Sequence, residues 1–250
     1  MKKTVSTLLL LAGMALPSLA VAETNAKDRN LADLAAAQLE KKDTFRAVTV
    51  QVDDGIVTLS GEVPLYVDKM NAEKRVRKVK IVDGVRNHIQ VGGPAIADSE
   101  VRDNLANKLR YDRVGYGIVF NNLGVDVKNG AVTLTGNVRD YPAHDSALAI
   151  VATTAGVKEV VDEIGVAPTS VFDDNLRIRL ARAIYGSPSL QKYALDPQAP
   201  IRIVVENGHV ELAGVVLNEL DRQVAYAQAS SVSGVFSVTN HLAVQGQSVE

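Results

Sequence analysis

The chain has no cysteine and no tryptophan, four histidines, and aromatic residues at only 4% of its 250 positions. Without cysteine there is no thiol nucleophile, no thiolate zinc site and no disulfide to staple a small domain. Without tryptophan a carbohydrate-stacking groove is disfavoured. The histidines, His88, His144, His209 and His241, nowhere stand at metal-ligand spacing within one element, so no metal site is expected. A G-x-S-x-G elbow, a phosphate-cradling loop and an HExxH pattern are also missing. Gly115-Tyr116-Gly117 lacks the strand-then-helix setting of a dinucleotide fingerprint. No catalytic centre and no cofactor are expected.

The amino terminus reads as an export signal. Lys2 and Lys3 precede a stretch from Val5 to Leu16 that only Ser6, Thr7 and Gly13 interrupt, and Ala20-Val21-Ala22 offers small residues for cleavage before Glu23. The stretch is well short of the ~20 residues that span a bilayer. A signal peptide over residues 1–22 is therefore expected, with no cysteine after it to carry a lipid, and the product belongs in the periplasm or outside the cell. Removing Lys2 and Lys3 leaves 25 of the 27 basic residues against 29 acidic ones, a net of −4. That balance argues against nucleic acid as a partner.

What the chain does contain is one pattern written three times. Gly55-Ile-Val-Thr-Leu-Ser-Gly61, Gly130-Ala-Val-Thr-Leu-Thr-Gly136 and Gly208-His-Val-Glu-Leu-Ala-Gly214 are separated by 136−61 = 75 and 214−136 = 78 residues, the span of a small domain. Asp54, Asn129 and Asn207 before the first glycines mark tight hairpin turns, and alternating apolar residues on either side mark the two strands. The adjacent carboxylates Asp53 and Asp54 then fall at a hairpin tip, where aspartate is ordinary turn chemistry. Ala72, Ala147 and Ala225 each follow the strand glycine by 11 residues, with Val76, Val151 and Ala229 one helical turn on. A glycine facing an alanine-lined helix suggests that helix and sheet approach closely. Closing strands centre on Ile89, Ile164 and Leu242. Upstream, Asp28 and Asn30, Asp98 and Ser99, and Asp173 to Asn175 offer caps for a helix opening each copy. The expected fold is α+β: three tandem αββαβ modules, each a small three-stranded mixed sheet covered by two helices, over residues 28–93, 97–168 and 171–246.

These residues resemble the BON domain family. The likeness rests on the x-Gly-x-Val-x-Leu-x-Gly-x-Val hairpin around Gly61, Gly136 and Gly214, on Gly156-Val157 and Gly234-Val235 ending second helices, and on the Asn-x-Ile/Leu-x-Val closing strand. Two departures stand out: Ile81 where a Gly156 equivalent belongs, and Asp162 where the closing strand has asparagine. The resemblance implies a binding protein rather than an enzyme. It also implies association with membrane phospholipid and a part in envelope integrity under osmotic or other stress.

Two features set single modules apart. Tyr66 to Lys80 reads as a helix carrying Lys69, Lys74, Arg75, Arg77, Lys78 and Lys80 against Asp68 and Glu73, four net positive charges that the other copies lack. This is the candidate contact for anionic phospholipid or a membrane surface; a solvated helix face is the plain alternative. The matching helix of module two, Ala147 to Ala152, is apolar all round, and Leu148 and Ile150 are expected to meet another module or a partner. Lengthened loops add Tyr116 and Phe120 as further contact candidates. On a second reading the apolar helix and aromatic loops would hold unfolded or outer-membrane client proteins, as a periplasmic chaperone does.

Overall fold

A computed structural model describes residues 18–112, 118–195 and 201–246. Most of the expected signal peptide and Tyr116 lie outside the described residues. Module one comprises α1 (Ser18–Leu39), β1 (Val48–Asp53), β2 (Ile56–Val63), α2 (Tyr66–Val76), β3 (Gly84–Asn87) and β4 (Gln90–Val91). Module two comprises α3 (Asp98–Tyr111), β5 (Asn122–Lys128), β6 (Ala131–Val138), α4 (Tyr141–Ala152) and β7 (Glu159–Val166). Module three comprises α5 (Val171–Tyr185), α6 (Gln191–Leu195), β8 (Arg202–Glu206), β9 (His209–Val216), α7 (Glu219–Ser230) and β10 (Ser237–Val244). The αββαβ order recurs in all three, with α6 as an addition in the last.

Each sheet is mixed. The first two strands pair antiparallel as a hairpin, and the closing strand runs parallel to the second, which is central. A parallel return needs a crossover, and α2, α4 and α7 supply it. Modules two and three close with one unbroken strand; module one divides it into β3 and β4, both paired with β2. The chain forms two compact units. Most of module one makes the first, and modules two and three share the second.

The cores repeat as the apolar spacing dictates. The first helices bury Leu31, Ala35 and Leu39, then Val101, Leu105 and Leu109, then Leu176, Leu180 and Ile184, all at i, i+4, i+8. Against them lie the central-strand residues Leu59, Leu134 and Leu212, with Ala72, Ala147 and Ala225 from the crossover helices.

The hairpin turns are of the primed kind. Asp54, Asn129 and Asn207 have φ of 48°, 54° and 50°, and the glycines after them are positive too. What fixes each turn departs from the sequence expectation. Asp28, Asp98 and Asp173 cap no helix; each carboxylate reaches across to its own module's turn. Asp28 accepts from the Asp54 and Gly55 amides at 3.2 and 3.1 Å, and Asp98 from Asn129 and Gly130 at 2.6 and 2.9 Å. Asp173 accepts from Asn207 and Gly208, both at 2.9 Å. A turn with two successive positive-φ residues aims both amides the same way, and one carboxylate satisfies both. Freed of the capping role, the helices begin where local sequence allows. α1 already runs through Asp28, the described part of it beginning upstream in a stretch without glycine or proline. α5 starts at Val171, capped by Ser170, whose hydroxyl accepts from the Asp173 amide.

The strand glycines need a second correction. Gly61 and Gly136 have φ of 117° and 97°, and a Cβ on either would lie 2.0 Å from a backbone oxygen of the neighbouring hairpin arm, Ala47 or Asn122. The crowding is strand against strand, so the alanine-lined helix is not its cause. Gly214 shares the conformation at φ 123°. Gly156 and Gly234 sit at φ 88° and 95°, in the turns that follow α4 and α7. Module one has Ile81 there, and its chain passes through a turn closed by the Val82 amide bonding to Val79 O.

The Asn-to-Asp exchange in the second closing strand keeps its role. Asn87, Asp162 and Asn240 each accept from the amide two residues on, Ile89, Ile164 and Leu242. The other end of each side chain reaches the crossover helix: Asn87 donates to Glu73 and Asn240 to the Arg222 carbonyl. Asp162 cannot donate, and His144 answers it. The imidazole lies between Asp145 (Nδ1, 3.0 Å) and Asp162 (Nε2, 2.9 Å), and only the protonated ring can donate to both. The hydrogen bond to Asp145, with that to Asp162, raises the His144 pKa above the ordinary 6.5 despite partial burial. A raised folded-state pKa stabilises fully below the unfolded value near 6.5, and the contribution fades as pH climbs through the folded value. The stability gap between the wild type and His144→Gln is therefore expected to be widest in mild acid and to narrow at alkaline pH. Paired denaturant titrations would measure it; a gap independent of pH would contradict the bridge.

Candidate functional site

The basic stretch of module one is shorter as a helix than its sequence suggests. α2 ends at Val76, so Arg77, Lys78 and Lys80 stand in the turn beyond it. Val79, in the turn just beyond the helix, is buried. Within the stretch the cations divide by position. Arg75 lies with its guanidinium 5.7 Å from the centre of the buried Phe45 ring, where the aromatic face and the charge attract. Arg77 is paired with Glu73 at 2.8 Å, and Glu73 is also held by Asn87. Lys69, on the first turns of α2, is half-buried. Lys74, Lys78 and Lys80 are exposed. Three mobile ammonium groups at the end of a helix, beside a fixed guanidinium, make a diffuse anion-attracting surface. They form no cradle shaped to one ligand.

The matching stretches carry no such charge. α4 presents His144 and Asp145, both engaged with each other, and α7 presents Glu219 bonded to Arg222 at 2.8 Å with Asp221 buried beneath. Tyr141 and Ala149 form the outward side of α4, and both are exposed. Leu148 and Ile150 are half-buried and pack against module two's own core.

Phe120 has a different destination. It is 7% exposed and belongs to the core cluster of module three, with Val119 packed beside it. Around this apolar insertion lie polar ties between modules two and three. Asn122 donates to Glu211 at 3.1 Å, and Arg139 bonds Asp174 at 3.1 Å. Asp174 is shared with the buried Arg177. Burial alone would raise the Asp174 pKa, but the two arginines outweigh it and hold the carboxyl below its ordinary range. The loop of module three folds back too. Leu190 and Tyr193 are buried, and the Tyr193 hydroxyl accepts from the Leu217 amide at 2.7 Å and donates to Asp221 at 2.6 Å. Burial and Asp221 together push that hydroxyl up to about 12.

The histidines are dispersed. His88, between β3 and β4, and His241, at the equivalent place on β10, are exposed, and His209 meets Ser237 at 2.7 Å next to Phe236. Among the described residues no three His, Asp or Glu side chains gather as a metal site would need. No described helix is long and apolar enough to cross a membrane.

Comparison with known proteins follows the same threefold division. No curated protein matches the chain. Two solved structures of CdsD, a structural protein of the type III secretion system of Chlamydia trachomatis, one of them its C-terminal domain, align at 14% identity. The alignments cover 86% of this chain and 92% and 97% of those, at a TM-score of 0.25, too low to bear on fold or function. The sequence model described as the BON domain matches residues 27–93, 97–168 and 175–246, the three modules in turn. With αββαβ architecture and primed hairpin turns in all three of those segments, the chain belongs to the BON domain family.

Proposed function

We propose that this is a periplasmic binding protein that associates with anionic phospholipid surfaces and supports envelope integrity under osmotic or similar stress. BON domains are associated with phospholipid binding and with stress-related periplasmic proteins. The observation that carries the reading in this chain is the exposure of Lys74, Lys78 and Lys80 in one module, where neither of the other modules has a matching charge. Each such cation near an anionic leaflet contributes ~1 kcal/mol, and salt screens the attraction over a Debye length. The expected result is co-flotation with vesicles rich in phosphatidylglycerol, weak binding to neutral phosphatidylcholine vesicles, and a steep decline between low and physiological salt. Exchanging the three lysines for glutamine is expected to weaken binding by about 3 kcal/mol, on the order of 100-fold at low salt. Equal retention on neutral and anionic vesicles would sink the proposal.

One observation favours a holding role for unfolded or outer-membrane proteins. Phe172 and Phe236 of module three stack on each other at 6.4 Å between ring centroids, and both are exposed. Contiguous exposed apolar patches mark interaction sites, and a stacked aromatic pair is the nucleus of one. Suppression of outer-membrane-protein aggregation that Phe236→Ser abolishes would support this role; suppression at wild-type level by the variant would count against it.

A further inference from the structure

Asn129-Gly130 and Asn207-Gly208 are the two Asn-Gly pairs of the chain, and both asparagines are exposed. A glycine after asparagine has no side chain to shield its nitrogen, so that nitrogen can attack the asparagine's own side chain. The glycine nitrogen forms a bond to Cγ, its proton passes to a solvent base, and the side-chain nitrogen leaves as ammonia. Water then opens the cyclic imide at one carbonyl or the other, giving aspartate or isoaspartate. Water is the one co-reactant.

The fold holds both nitrogens. Gly130 N donates to Asp98 Oδ1 at 2.9 Å, and Gly208 N donates to Asp173 Oδ1 at 2.9 Å. The glycine carbonyls are held too, by the Lys158 amide at 2.8 Å and the Phe236 amide at 2.9 Å. The imide nitrogen carries no hydrogen, so cyclisation must give up the bond to the carboxylate. It must also take a proton from a nitrogen beside a fixed negative charge, which opposes the anion that forms. Loss of a charge-assisted bond alone slows the step about ten- to hundredfold.

The two guards are unequal. Asp173 is buried, its bond to Gly208 lies in the interior, and a Cβ on that glycine would stand 2.7 Å from the Phe236 ring. Asp98 is half-buried, and the Asn129 side of its clamp is exposed. Module one carries Asp54 at this position in the same clamp, with φ 48°, so an aspartate product fits the turn. Isoaspartate adds a backbone carbon between the paired residues Lys128 and Ala131 and costs the hairpin its register.

We propose that Asn129-Gly130 is a spontaneous modification site that Asp98 keeps closed, and that Asp173 closes Asn207-Gly208 more tightly. Opening of the module two clamp is the step that exposes Asn129 to cyclisation. The site stands apart from the lysines of module one, and its test is independent of vesicle binding. The full chain is incubated in mildly alkaline buffer and mapped by mass spectrometry of its peptides, which reports aspartate and isoaspartate at each position. In the native wild type Asn129 is expected to convert at least about tenfold more slowly than in the chain unfolded by guanidinium chloride, with Asn207 slower still. Asp98→Ala is expected to accelerate Asn129 at least about tenfold and to leave Asn207 unchanged. Asp98→Asn, which keeps an acceptor, should accelerate it by a smaller factor. Val151→Ala separates the clamp from general loosening, because it weakens the same core from α4 and leaves Asp98 in place. Asn129 should then convert near the wild-type rate, with circular dichroism confirming that each variant is folded. The proposal is overturned if Asn129 converts as fast in the native chain as in the unfolded one, or if Asn207 converts first. It is also overturned if no folded Asp98 variant converts faster than the wild type, or if Val151→Ala accelerates Asn129 as much as Asp98→Ala does.

Discussion

Asp173→Ala is expected to destabilise the unit formed by modules two and three by about 3–4 kcal/mol, read as a fall in the denaturant midpoint at unchanged slope. Asp173 is 1% exposed, and its two oxygens accept from both turn amides at 2.9 Å. Truncation leaves the Gly208 amide buried without a partner, and each charge-assisted bond of this kind is worth about 1.5–3 kcal/mol. Asp173→Asn separates the contributions, because an amide side chain keeps one acceptor and cannot serve two donors in the same direction. Its loss should be about half. The same truncation in module two, Asp98→Ala, is expected to cost only about 1–2 kcal/mol, since the Asn129 bond is exposed and water can replace it. Equal losses at the two positions would show that burial does not set the strength of the clamp.

Gly136→Ala should be the more damaging change, at about 3 kcal/mol or more, and it should remove cooperative folding of module two if the strand cannot shift. Two costs add. Left-handed φ strains any residue with a Cβ by about 1–3 kcal/mol, and here the Cβ would lie 2.0 Å from the Asn122 carbonyl oxygen, which the strand register holds in place. Gly124, on β5 in the same sheet, is the internal control. A Cβ there meets Thr135 Oγ1 at 2.5 Å, but that atom ends a side chain free to rotate, and Gly124→Ala should cost under about 1 kcal/mol. Thermal denaturation of both variants checks the contrast. Similar midpoints would mean that the conformation at 136 relaxes freely.

Much of the fold was legible because its signals are local and repeated. Asn-Gly and Asp-Gly dipeptides demand positive φ at both turn positions, and all three turns adopt it. Apolar spacing marked Leu176, Leu180 and Ile184 as one helix face, and all are buried. The aspartate clamps were missed because an acid in a first helical turn has an ordinary explanation in capping. A faint signal existed: Asp28, Asp98 and Asp173 each precede a core residue, Leu31, Val101 and Leu176, by three positions. Nothing in that spacing shows a hairpin tip 26 to 34 residues later (54−28, 207−173). Gly136 was recognised, but its cause was assigned to the helix, because a Cβ collision with a neighbouring strand depends on register. At the candidate site, the helical pattern overran its true end because Val79 fits a helix face as well as it fits the turn that buries it.

Phe120 links two hereditary units. The family pattern is duplicated in tandem, and duplication would ordinarily leave each copy free to be lost, shuffled or transplanted. Once a side chain encoded in the second copy completes the interior of the third, that freedom ends. Neither copy can be exchanged without leaving a hole in one and a stranded aromatic in the other. Recombination at the family boundary near residue 170 would break this partnership, so the second and third segments should be inherited together.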